Sequence, residues 1–206
     1  MSRLLVVALT LLLLVGFGAS AQAAPIVINF DALSDGAVIT NQYAGLGVVF
    51  SSVAGYVNYV TEQPIYNGTK PKFLCTGPSG GGINCTAETI VDFSTPVDDL
   101  TFQGLGINDT SSQVARIDIF QNAIYSATII VPGAGQSYNP LLLDLSAYDD
   151  ITRIRLYAIS DGGGIGWDTF TFDPEANHQV PEPVSTLLLL STAMVGLAAA
   201  RRRIRT

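Results

Sequence analysis

Two stretches of the chain alternate with a period of two. VARIDIF, Val114–Phe120, puts Ile117 and Ile119 on one face and Arg116 and Asp118 on the other. TRIRLYAI, Thr152–Ile159, opposes Ile154 and Leu156 to Arg153 and Arg155 in the same way. Successive side chains of a strand point to opposite faces, so these are half-buried strands that need a hydrophobic layer over one side. Shorter runs bounded by Gly, Pro, Asn or Asp also read as strands: Ile26–Phe30, Val48–Val53, Glu88–Phe93 and Leu100–Gln103. Asp98-Asp99 and Asp149-Asp150 lie where turns would begin. No helical stripe and no fixed-period repeat occurs between Ala24 and Pro174, which disfavours bundles, solenoids and propellers. Many short strands, each with one apolar face, are covered most economically by two packed antiparallel sheets. Residues 24–174 are therefore expected to form one all-β antiparallel β-sandwich.

The two ends obey a different logic. Arg3 precedes an apolar run from Leu4 to about Phe17, and Ala21-Gln22-Ala23 has the small-x-small form read by signal peptidase. Residues 1–23 are expected to be a signal helix removed after Ala23. At the other end, Val184–Ala200 is 17 residues without a charge, followed directly by Arg201, Arg202, Arg203 and Arg205. That length is at the short limit for a transmembrane helix across about 30 Å of hydrocarbon. Arginines at the boundary stay on the cytoplasmic side, so the body is exported while the tail is held in the inner membrane.

Between the ends, Ala24–Val180 carries 5 Lys/Arg against 16 Asp/Glu, a net charge of −11. Such a body repels phosphate backbones, which argues against nucleic acid as a partner. Its 157 residues suffice for one domain with its own core. Cys75 and Cys85 flank a loop with four glycines and a proline, flexible enough for the ends to meet. In an oxidising compartment they are expected to form a disulfide.

Val180-Pro181-Glu182-Pro183, the apolar Val184–Ala200 and the cluster Arg201–Arg205 follow one another without insertion. Together they resemble the PEP-CTERM sorting signal of Gram-negative bacteria. That resemblance implies processing by an exosortase, a membrane cysteine protease acting near Pro181, Glu182 and Pro183. The protein would then pass from an inner-membrane precursor to the cell surface or the extracellular matrix. The motif suits such a role: two prolines hold the chain extended, and the helix cannot readily begin before Val184. Residues 175–180 form the linker ahead of it. The alternative is a permanently anchored single-span periplasmic protein.

The body carries a second resemblance. INFDALSDGAVITNQYAGLGVVF (Ile28–Phe50) opens it and GIGWDTFTFDPE (Gly164–Glu175) closes it. Phe30-Asp31, Gly36, Asn41-Gln42-Tyr43 and the run Gly47 to Phe50 are similar to the opening of exported jelly-roll domains in this sorting class. Gly166-x-Asp168-x-Phe170-x-Phe172 is similar to their closing strand, which lies beside the opening one. These domains resemble carbohydrate-binding jelly rolls, which implies a binding or structural role associated with extracellular polysaccharide. It also makes Asp31 and Asp168 the candidate ligands of a structural calcium, although an aspartate at such places commonly bonds its own turn backbone.

No catalytic residue is identified. His178 is the only histidine and sits in the linker, where a general base would lack fixed geometry. That removes a Ser-His-Asp triad and histidine-based zinc sites. The chain is read as a non-enzyme, with an extracellular carbohydrate-active enzyme on the same fold as the alternative. Tyr43, Tyr56, Tyr59, Tyr66, Tyr138 and Trp167 could stack on sugars if exposed. Trp167, among glycines, is the candidate ligand-stacking residue.

Overall fold

The computed structural model describes residues 24–62, 71–79, 84–135 and 140–174. The signal helix, the linker with His178, the Pro-Glu-Pro motif, the segment 184–200 and the arginine cluster all lie outside the described residues. Within them, no helix is long and apolar enough to cross a membrane.

The described residues are all-β, with a single 3-10 turn at Ala44–Leu46. In chain order the strands are β1 (Ile26–Ile28), β2 (Val38–Ile39), β3 (Val48–Ser52), β4 (Tyr56–Glu62), β5 (Lys72–Pro78) and β6 (Thr89–Leu105). They continue with β7 (Ala115–Gln121), β8 (Ile124–Val131), β9 (Leu141–Asp144), β10 (Ile151–Tyr157) and β11 (Gly166–Pro174). The ladder runs β2-β4-β5-β11-β6-β10-β7-β8, with β1 added on β11 and β3 and β9 added on β6. Every pairing between these strands is antiparallel.

The 17-residue β6 organises the whole. Its first part, Thr89–Phe93, lies between β3 and β10, while its last part, from Thr101, lies between β9 and β11. The sequence runs Glu88–Phe93 and Leu100–Gln103 are thus two parts of one strand rather than two strands. Pro96 falls inside it, where the register against β10 jumps from Asp92–Arg153 to Val97–Ile151. Proline has no N–H to give a ladder, and a bulge is where a strand tolerates it. Asp98 and Asp99 are within this strand instead of at a turn. Asp99 takes φ 51°, and the Asp98 carboxylate accepts the Asp150 N–H at 2.8 Å. Asp150 itself forms the bend before β10.

The change of neighbours along β6 folds the sheet into a sandwich. Phe50 of β3 meets Phe170 of β11 with ring centroids 5.4 Å apart. Phe93 of β6 meets Phe172 of β11 at 5.3 Å, and Phe30 is edge-on to both Phe50 and Phe170. The alternation of β7 and β10 sends Ile117, Ile119, Ile154 and Leu156 into this core, each fully buried. Opening and closing strands are neighbours, Ile28 of β1 pairing with Phe170 of β11. Cys75 and Cys85 are bonded (S–S 2.01 Å) and lie with Phe73 and Leu105 in a second, smaller core.

Candidate functional site

The alternation that buries one face of β7 and β10 leaves a polar face outside. Antiparallel register sets Arg155 beside Asp118, and Tyr157 beside Arg116. It sets Asp118 beside Thr128 of β8. Glu88 precedes β6 and reaches the same face. Arg155 donates from Nε and Nη2 to the two carboxylate oxygens of Glu88, both at 2.7 Å. Its Nη1 lies 3.7 Å from Asp118 Oδ2, and its guanidinium lies 4.3 Å over the Tyr157 ring. The Glu88 bond leads in raising the Arg155 pKa above the ordinary arginine range, with Asp118 and Tyr157 adding to it.

Asp118 is buried although its position faces outward, because its neighbours cover it. Its Oδ1 accepts from Thr128 Oγ1 at 2.5 Å and from the Tyr157 hydroxyl at 3.1 Å. Tyr125 and Thr128 share a further hydroxyl bond at 2.9 Å. Beside this group, Arg153 pairs with Asp92 at 2.6 Å. Arg116 bonds Gln113 at 3.3 Å and has no carboxylate partner among the described residues. A forked pair holds a guanidinium plane in one orientation, and a network satisfied at most positions resists rearrangement. The face therefore carries fixed guanidinium planes, carboxylates and two phenols, paired largely with one another.

Tyr125 and Tyr157 were not among the aromatics singled out from the sequence. Tyr157 had a usable signal, since it stands two positions from Arg155 and four from Arg153 on the outward parity of the same strand. Tyr125 had none, because Ile124–Val131 does not alternate. Of those singled out, Tyr56 is exposed on β4, and Tyr66 and Tyr138 lie outside the described residues.

Trp167 is corrected. Its side chain is 0% exposed and packs edge-on to Phe102 at 5.9 Å. It pairs with Gly104 across β6 and with Leu74 across β5. The small residues near it make room for the indole to pack inward; a Cβ on Gly104 would stand 3.5 Å from its Cζ3. No ring face is left for a ligand.

Asp31 and Asp168 are brought together by the pairing of β1 with β11. Asp168 is 8% exposed and its Oδ1 accepts the Thr169 N–H at 2.7 Å. Burial, then the nearby Asp31 charge, raises its carboxyl to about 6, against the hydrogen bond from Thr169. Tyr43 is raised by burial and then by the same two carboxylates. Two carboxylates supply the acidic part of such a set, of the six to eight oxygens that calcium takes. No group of three or more His, Cys, Asp or Glu suited to a metal occurs among the described residues. The Lys72 ammonium already donates to the backbone carbonyls of Asp31 at 3.1 Å and Leu33 at 2.7 Å.

No family model matches the chain, and no curated protein matches it. Among solved structures, the K2 cleaved adhesin domain of Lys-gingipain (Kgp) is similar at a TM-score of 0.44 and 11% identity, over 72% of this chain and 99% of that one. The K1 cleaved adhesin domain of Lys-gingipain from Porphyromonas gingivalis W83 is similar at a TM-score of 0.36 and 13% identity, over 74% of this chain and 99% of that one.

Proposed function

We propose that this chain is an exported β-sandwich of the jelly-roll kind, delivered by a PEP-CTERM and exosortase system to the cell surface or extracellular matrix. There its outer face binds polysaccharide without catalysing a reaction. The observation that carries the binding role is the Glu88–Arg155–Tyr157–Asp118 network, which holds an arginine plane stacked over one face of a phenol ring in a fixed orientation. Carbohydrate hydroxyls are recognised by such planar donors and carboxylates, and sugar rings by aromatic faces. Delivery is supported by the three-part tail Pro181–Pro183, Val184–Ala200 and Arg201–Arg205. The Cys75–Cys85 bond agrees with an oxidising destination.

Two measurements test this reading. C-terminal peptide mass spectrometry of the protein from its native host is expected to find an end near Pro181–Pro183, with the arginines gone. An intact Thr206 would sink sorting and leave a single-span periplasmic protein. Binding to the host's extracellular polysaccharide is expected to weaken roughly tenfold or more in Arg155→Ala, the size of a lost charged hydrogen-bonding group. Unchanged binding would remove the face from the proposal. A carbohydrate-active enzyme is the second reading, favoured by the buried Asp168 carboxyl, raised to about 6 by burial and by the nearby Asp31 charge. Release of reducing ends from that polysaccharide, abolished in Asp168→Asn, would replace the binding reading with it.

A further inference from the structure

We propose that β8 pairs edge to edge with β8 of a second copy of this chain. A strand at a sheet edge offers a row of unpaired N–H and C=O groups, and proteins usually shorten, charge or bulge such edges to prevent pairing. β1, β2, β3 and β9 follow that rule by length, spanning two to five residues. β8 departs from it. It runs for eight residues, IYSATIIV, with no charge, proline or glycine, and its one partner among the described residues is β7. Ile124 is 72% exposed, Tyr125 55% and Ile130 45%.

Charge selects the occupant. The body carries −11, so two copies repel over most of their surfaces. Three of its five Lys/Arg, however, are Arg116, Arg153 and Arg155 on the two strands next to β8. They stand with Glu88, Asp92 and Asp118, so the flank of this edge is balanced and the edge itself is neutral. The strand is also self-complementary. Directly opposed residues of an antiparallel pair share a face, so a two-fold centred on Ile129 sets Thr128 against Ile130 of the second copy and Ala127 against its Val131. This register pairs the five residues Ala127–Val131 of each copy, and every opposed pair among them contains a β-branched side chain, the type that stabilises cross-strand contacts. A single strand pair is small beside a standard interface, so the association is weak and depends on concentration.

Sedimentation velocity over a concentration series tests this on the protein recovered from its exporting host, with amide exchange followed in the same samples. The expected result is a shift from one copy to two, with β8 amides exchanging more slowly as the dimer forms. Ile130→Lys is expected to weaken the association roughly tenfold or more. Leu142→Lys, at a 62% exposed position on β9, leaves it unchanged. A constant single-copy mass overturns the proposal. So does association that Ile130→Lys leaves intact, or β8 protection without doubling of mass, which would mean another extended chain occupies the edge. Should Ile130→Lys fail to fold, the exchange and mass series on the unaltered chain decides the matter alone.

Discussion

Asp168 titrates at about 6 in the folded chain against an ordinary 3.8. Between these values the folded state keeps a proton that the unfolded state has lost, so this group's contribution to stability falls as pH rises through that window. Above it the penalty is constant, at about 1–2 kcal/mol once solvent access is allowed for. Asp109 and Asp144, lowered by hydrogen bonds from Ser111 and Ser146, titrate below the window. Asp168→Asn keeps an oxygen for the Thr169 N–H and removes the charge. It is expected to abolish the slope and to stabilise the chain at pH 7 by a similar amount. Denaturant midpoints from pH 4 to 8 in a chelating buffer check this, and parallel curves for the two chains would refute it. At this scale the sequence was a partial guide. Arg153, Arg155 and Asp118 were legible on an outward parity, and the closeness of Asp31 to Asp168 followed from a resemblance. Trp167 was misread because flanking glycines can mean either an exposed loop or space cleared for a large ring, and only the pairing with Gly104 decides.

At the scale of the element, the β7–β8 hairpin turns on Asn122 and Ala123, both left-handed with φ of 49° and 64°. Two positive φ angles match the turn to the right-handed twist of its strands, and asparagine tolerates that region far better than alanine. Ala123→Gly is expected to stabilise the chain by about 0.5–1 kcal/mol, the strain relieved exceeding the added freedom of the unfolded chain. The Ala123 N–H that bonds Thr152 Oγ1 at 2.8 Å is kept. A lower denaturant midpoint would show that the turn holds no such strain. Alternating elements were the legible ones: Val114–Phe120 and Thr152–Ile159 lie within a residue or two of β7 and β10. β8 was not, since an apolar run half exposed at an edge has no period to read. β6 was split at Pro96 because a bulge that admits proline leaves no local mark distinguishing it from a strand end.

For the whole molecule, the all-β class followed from local pattern, whereas the ladder order did not. Pairings such as β5 with β11, or β6 with four neighbours, join residues far apart in the chain and depend on which faces find each other. Among the described residues, the eleven strands, both cores and the disulfide make up the body between Ala24 and Pro174. On the proposed reading stability belongs to the body and destination to residues 181–206. The two should separate. A chain ending at Val180 is expected to melt within about 2 °C of the uncleaved chain that keeps residues 181–206, since on the proposed reading that tail is a sorting signal and no part of the packed core. The same chain should pass into the medium or periplasm without being retained at the surface. Thermal melting of the purified forms and fractionation of the host measure the two halves independently. A melting point lowered by more than about 5 °C would mean that residues after Val180 pack on the sandwich. Surface retention of the shortened chain would mean that the body, through its outer face or its β8 edge, carries an address of its own.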